Sequence, residues 1–437
     1  MRKLTAVFII LIMAFSLCGC DIFTTDTAEL LSPPALTGDM YPIDKALKES
    51  IDTDYTLEYP SRGDYRSAII QHDVNKDGLL EAFAFYRTTD DNSTKMNINA
   101  VVTRNGGWQS AATQSIEAGG VDRIDFCDLD RDGTDEILIG WEIYGTSELQ
   151  LAIYSLGENT LTQRMLEKYT HYVTCDLDDD DTNEILIVRA NPAESMNTAH
   201  LYTLTSVGVS QIASCLLDST AKTLNHPVAA PLSTGKNAIY IDEIKGVGAV
   251  TEVLFLEKGQ LVNPLYNPDA KETSQTLRSA SYETYDINSD GIPEIPIQKE
   301  IPTVTKTGYS QKQYLTEWCS FNGETLTNQI SALVNSADGY YYVLPLKLAN
   351  KIAVLKDSEN SLMEIYHYDQ KKKVSKERLV YFKAVKKADW DAGIYSSLDM
   401  KEIVNNGETT YVCYFSAAAE KYGITLDKIK NDFKLLS

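Results

Sequence analysis

The sequence predicts an all-β chain folded as a β-propeller, and three observations lead there. Four acidic stretches share one spelling, Asp-x-Asp/Asn-x-Asp-Gly/Asp-x-x-Glu: Asp73, Asn75, Asp77, Gly78, Glu81; Asp128, Asp130, Asp132, Gly133, Glu136; Asp176, Asp178, Asp180, Asp181, Glu184; and Asp286, Asn288, Asp290, Gly291, Glu294. Their first aspartates lie 55, 48 and 110 residues apart, the last being close to two periods. Each stretch also runs straight into an apolar, strand-like segment. A strand-rich repeat near 50 residues is the signature of propeller blades, small antiparallel sheets set one after another.

The double gap calls for a degenerate copy, and Gly235 to Ile241 aligns with Gly133 to Ile139 without the acids. Extending the frame finds Gly339 before Tyr340 to Leu344, and Gly407 before Tyr411 to Tyr414. Repeats are therefore expected near 73–81, 128–136, 176–184, 230–238, 286–294, 334–342 and 402–410. This gives seven blades, within a range of six to eight, in one domain over 41–437. The best-preserved unit reads as strands Val121–Cys127, Ile137–Trp141, Leu149–Tyr154 and Leu161–Leu166, with a Gly157 to Asn159 turn. Matching turns stand at Asn105 to Gly107, Gly208, Lys258 and Gly259, and Asn322 and Gly323, residues that tolerate the positive φ of hairpins. Helical periodicity is confined to Ile43–Ile51 and Leu426–Leu435.

Oxygen ligands at alternate positions, with glycine after the third, suit a hard cation such as Ca²⁺ wrapped by one tight loop. Carboxylates about 4 Å apart repel by roughly 4 kcal/mol at an effective dielectric near 20, so a converging set needs a cation or an expanded loop. Up to four structural calcium sites are expected, the best at Asp128–Glu136, which has the full acidic set and the loop glycine. In the Asp73 and Asp286 loops Asn75 and Asn288 remove one charge. In the Asp176 loop Asp181 replaces the glycine. The carbonyls of Leu79, Thr134, Thr182 and Ile292 are further candidate ligands. Strands flank the loops and the glutamate comes ninth, so these are not helix-loop-helix hands.

On these loops the chain resembles the bacterial relatives of integrin-type propeller repeats, the FG-GAP or VCBS repeats, whose blades carry DxDxDGxxD calcium loops. The resemblance spans most of residues 65 to 415 and implies a seven-bladed propeller with calcium between the first two strands of some blades. Two departures stand out. Position nine is Glu81, Glu136, Glu184 and Glu294, one methylene longer than the family's Asp, which leaves its direct ligation open. The Phe-Gly and Gly-Ala-Pro signatures are absent.

The N-terminus indicates where the chain works. Residues 1–19 combine a basic start at Arg2 and Lys3 with an apolar run too short to remain a membrane span. Leu17, Cys18, Gly19 and Cys20 resemble the lipobox of a bacterial lipoprotein, with Cys20 as the lipidated, palmitate-bearing first residue. Two acyl chains give stable attachment where one does not. Residues 20–40, with Ser32, Pro33, Pro34 and Gly38, read as a flexible tether. The expected location is the extracytoplasmic face of the cell membrane.

Formal net charge is −22 for the whole chain. Such an acidic balance disfavours nucleic acid and anionic lipid as partners. Of seven cysteines, five lie beyond Cys20: Cys127, Cys175, Cys215, Cys319 and Cys413. An odd number argues against a full disulfide framework, and Cys127 and Cys175, at equivalent repeat positions, read best as small buried residues. His72, His171, His200, His226 and His367 show no metal-ligand spacing, and neither a GxSxG elbow nor a glycine-rich phosphate loop is present. Arg62, Gly63 and Asp64 spell an integrin-recognition tripeptide that chance explains. Tyr309, Tyr314 and Tyr340 to Tyr342 could form an aromatic binding surface, though tyrosine is also an ordinary strand residue.

The expected function is therefore a membrane-anchored, calcium-stabilised binding or scaffold module for a protein or glycan ligand, not an enzyme. Two rivals stay open. A polysaccharide-degrading lyase or glycosidase would need a cleft with a carboxylate or Lys/Tyr pair outside the loops. A purely structural envelope lipoprotein would need no pocket.

Overall fold

The computed structural model describes residues 40–436 except 91–92, 192–195, 280 and 305–311. The signal segment 1–19, Cys20 and nearly all of the tether lie outside the described residues, as does Tyr309. The chain is an all-β propeller-type fold: six antiparallel sheets of four or more strands follow one another along the sequence, with one small two-stranded hairpin between.

The first sheet contains Ile69–His72, Glu81–Asp90, Ser93–Arg104 and Gly107–Ile116, with Tyr55–Leu57 extending the inner edge. The second is Gly120–Cys127, Glu136–Glu142, Leu149–Leu156 and Leu161–Tyr169. The third is His171–Cys175, Glu184–Asn191, Met196–Thr205 and Gly208–Leu217. In each, the acidic loop joins the inner strand to the second. The fourth sheet places Val228–Pro231 against Asn237–Lys245, then Gly248–Glu257 and Gln260–Val262. In the fifth, Tyr285 bridges Glu294 across the last acidic loop, and Ile295–Ile301, Gln313–Phe321, Leu326–Asn335, Tyr340–Val343 and Phe433–Leu435 follow. The sixth orders Ile352–Asp357, Leu362–Asp369, Val374–Lys386, Thr409–Phe415 and Lys401–Asn405.

Strand alternation explains the stacking, because successive side chains face opposite sides of a sheet. On the second sheet Ile137, Ile139 and Trp141 pack toward the first, while Leu138, Leu151 and Ile153 pack toward the third. Leu186, Val188 and Leu201 continue to Ile239, Ile241 and Leu254 of the fourth sheet, whose Tyr240 and Phe255 meet Phe321 of the fifth. A last cluster joins the fifth and sixth through Tyr342, Ile365 and Phe382. Helix α1, Tyr41–Ser50, covers the face of the first sheet turned away from the second, with Ile43 and Leu47 fully buried against Ala84, Tyr86 and Val101.

One degenerate unit keeps its place, and three expectations change. The 230–238 unit is in register: its turn carries Gly235 at φ 84°. The 334–342 and 402–410 units do not begin blades. Gly339 turns Leu326–Asn335 into Tyr340–Val343, and Gly407 turns Lys401–Asn405 into Thr409–Phe415, so both serve outer strands. A glycine before a β-rich run is needed by any tight hairpin, and the described residues form six sheets of four or more strands, the lower end of the expected range. Finally, helical structure near the C-terminus stops at Asp432, and Phe433–Leu435 becomes an edge strand paired with Tyr340–Tyr342.

Candidate functional sites at the two ends of the strands

The four acidic loops fold alike, for local reasons. In each, one Oδ of the first aspartate accepts the N–H of the residue at position six: Gly78 at 2.9 Å, Gly133 at 3.1 Å, Asp181 at 2.9 Å and Gly291 at 2.7 Å. The aspartate at position five caps the N–H of position seven at 2.8–2.9 Å. Position six has positive φ throughout, 88° at Gly78, 90° at Gly133, 66° at Asp181 and 87° at Gly291.

Sequence left the ninth-position glutamate unresolved. In all four loops its Oε2 accepts the backbone N–H at position two, from Val74, Leu129, Leu177 and Ile287, at 2.8–3.1 Å. The extra methylene lets the buried carboxylate reach across the loop and close it.

The loops then diverge. Asp128, Asp130 and Glu136 bring one carboxylate oxygen each within 4.8 Å of the others, and Asp176, Asp178 and Glu184 do the same. Oδ1 of Asp128 and Oδ1 of Asp130 are buried without a hydrogen-bond partner, an arrangement that suits a hard cation. Burial, then the neighbouring aspartates, pushes Glu136 and Glu184 up to about 7. The loops with asparagine satisfy themselves differently. Asn288 donates its amide to Asp290 at 3.0 Å and Glu294 at 2.9 Å, and Asn75 accepts the Asp77 N–H at 3.0 Å.

Position four links one loop to the next. Lys76 Nζ lies 3.0 Å from Asp135 and 3.6 Å from Asp128. Arg131 donates to the Asp180 carbonyl at 3.1 Å and to Asp181 at 3.3 Å. Asp179 accepts from Asn237 of the acid-free fourth hairpin at 2.8 Å. No spacing argument reveals these contacts, because they join different repeats.

The opposite ends of the same strands frame a cavity of about 870 Å³ between the second and third sheets, lined by Arg62, Asp122, Glu142, Tyr169, His171 and Arg189 among others. Sequence reading missed it. Asp122 is buried and accepts hydrogen bonds from Arg62 and from the Tyr169 hydroxyl. Burial and then the Asp122 charge hold Tyr169 well above its ordinary value, so it keeps its proton. Burial pushes His171 down to about 4, and the neutral ring donates from Nε2 to the Leu224 carbonyl at 2.7 Å. The Arg62 to Asp64 tripeptide is thus a strap between the first and second sheets.

Other side chains prove structural. His72 stacks on Phe126 at 4.1 Å, Tyr340 and Tyr342 are core, and all five described cysteines are free thiols. Burial pushes Cys127 to about 11 and Cys175 to about 12, which keeps both protonated and unreactive.

Fold and site define a class: an all-β propeller-type chain with acidic hairpins at one end of its strands and a polar cavity at the other. No family model matches the chain, and no curated protein does. Among solved structures it is similar to a rhamnogalacturonan lyase of Bacillus licheniformis at 13% identity and TM-score 0.30, covering 55% of this chain and 59% of that one. An exo-β-1,3-galactanase from Phanerochaete chrysosporium matches at 10% identity and TM-score 0.28 over 76% and 79% of the two chains. The Dos1 propeller matches at 11% and 0.25 over 72% and 79%. Likenesses of this size leave function to be read from the chain's own residues.

Proposed function

We propose that this protein is a lipid-anchored module on the extracytoplasmic face of a bacterial membrane, stiffened by calcium and built to hold a protein or glycan ligand. The observation that carries the reading is the division of labour between strand ends. At one end, buried unpartnered oxygens of Asp128 and Asp130 sit among converging carboxylates; at the other, polar side chains frame a cavity.

Calcium would be held by Asp128, Asp130 and Glu136 and by Asp176, Asp178 and Glu184, offsetting like-charge repulsion and fixing the hairpin that joins the first two strands of a sheet. Attachment would run through Cys20, followed by the tether. No helix among the described residues is long and apolar enough to cross a membrane. A polysaccharide-degrading enzyme is the second reading, favoured by carboxylates Asp122 and Glu142 at a cavity outside the loops. Against it, Asp122 is engaged by Arg62 and Tyr169, and Tyr169 is a poor general base with its proton held.

Thermal melting with calcium and with chelator tests the metal part. Calcium is expected to raise the melting temperature, and Asp130→Ala with Asp178→Ala to abolish most of the response. Superimposable curves in calcium and chelator would overturn it. Labelled-lipid incorporation that survives Cys20→Ser would overturn the anchor.

A further inference from the structure

We propose that the cavity between the second and third sheets takes a neutral oligosaccharide. The inference rests on the reading of the chain as a binding module and names its ligand. At about 870 Å³ the cavity lies within the roughly 300–1,000 Å³ usual for small-molecule sites.

Charge narrows the ligand. Each lining cation is already neutralised: Arg62 by Asp122, Lys168 by Glu148 at 2.6 Å, and Arg189 by Glu167 at 2.6 Å. An acidic sugar or phosphate would have to share a cation that already faces a carboxylate. The Glu142 carboxylate, by contrast, accepts only from the Ser61 hydroxyl at 3.1 Å and has no cationic partner among the described residues. The cavity therefore carries one uncompensated carboxylate, which repels anions and accepts hydrogen bonds from hydroxyl groups.

Apolar content narrows it further. Leu149 and Ala190 are the only aliphatic residues of the described lining and Tyr169 its only aromatic besides the His171 ring, so few large apolar side chains are present to anchor those of a peptide. A polyhydroxylated ring suits such a wall, since every hydroxyl both donates and accepts. Tyr144, between the lining residues Glu142 and Thr146 in sequence but outside the lining itself, stands 68% exposed, and its ring offers a flat apolar surface at the rim for the C–H face of a sugar that reaches out of the cavity.

The wall is also set in advance. A Cβ at Gly140 would lie 1.9 Å from the Tyr169 hydroxyl, so glycine there leaves room for the Tyr169–Asp122–Arg62 chain. Fixed hydrogen-bonding groups spare the ordering cost of binding.

The test is calorimetric titration of the full chain in detergent with cello-, xylo-, manno- and galactohexaose, with hexagalacturonate, and with the amine-bearing hexamer of glucosamine. At least one neutral hexaose is expected to bind. Glu142→Gln should weaken it about tenfold, the scale of one charge-assisted hydrogen bond, and Tyr144→Ala by up to about tenfold, the scale of one aromatic contact. Both side chains are on the surface, and unchanged melting temperatures will show that the variants fold. Binding of the charged hexamers alone, binding of none, or affinity untouched by both variants would overturn the inference. A calcium-dependent rise in melting temperature without any bound hexamer would sink the sugar assignment alone. Hexaose binding without a calcium response would sink the metal reading alone.

Discussion

Asp181 occupies a backbone conformation that its three counterparts assign to glycine. With φ at 66° it pays part of the left-handed penalty, and its contact with Arg131 joins two exposed side chains and returns little. Asp181→Gly should therefore stabilise the protein by about 0.5–1 kcal/mol in urea unfolding, the left-handed penalty of about 1–2 kcal/mol less the roughly 0.5–1 kcal/mol of added chain entropy that glycine brings to the unfolded state; a loss of stability would show that the Arg131 contact and that entropy outweigh the strain. Glu243 is a second residue with a measurable signature. It lies fully buried in the fourth sheet, where desolvation and then the Glu252 carboxylate push it well above its ordinary 4.5. The folded state thus keeps a proton that the unfolded chain gives up. The stability tied to that proton is complete below pH 4.5 and declines as pH rises above it, by at most about 1.4 kcal/mol per unit. Glu243→Gln should flatten the profile between pH 5 and 8 relative to the parent, and parallel profiles would contradict the assignment.

At the scale of elements, the acidic hairpins were the most legible part of the chain, because ligand-type spacing, glycine and a following β-run must coincide in a few residues. The role of Glu81, Glu136, Glu184 and Glu294 was not, since a carboxylate that bonds a backbone N–H and one that only binds metal have the same spelling. Gly339 and Gly407 misled for a related reason: a turn residue reports that a hairpin exists, not where it lies in a sheet. Helix α1 was legible from its apolar spacing, whereas its seat on the first sheet was not. That seat has an energetic consequence. Leu47 is fully buried beneath the helix, so Leu47→Ala should cost about 2–5 kcal/mol in chemical denaturation; a cost below about 0.5 kcal/mol would mean the helix is not part of the cooperative unit.

For the whole molecule, the sequence period revealed successive sheets and a range of six to eight that includes the six described, while the make-up of the fifth depends on a distant pairing. Phe433–Leu435 joins Tyr340–Tyr342, an association that no local pattern encodes. The cavity was hidden for the same reason: Arg62, Asp122, Tyr169 and Arg189 meet only when strand ends from neighbouring sheets are brought together. The loop-to-loop contacts of Lys76, Arg131 and Asp179 bear on how the molecule resists pulling. Under the proposed anchoring, drag would enter at the N-terminal sheet, and each of the first three acidic turns reaches the next hairpin through one side chain. Force entering at the first sheet then reaches the second, third and fourth through the buried apolar seams between them, which these side chains supplement at the rim, so those four should yield together under tension as a single rupture event.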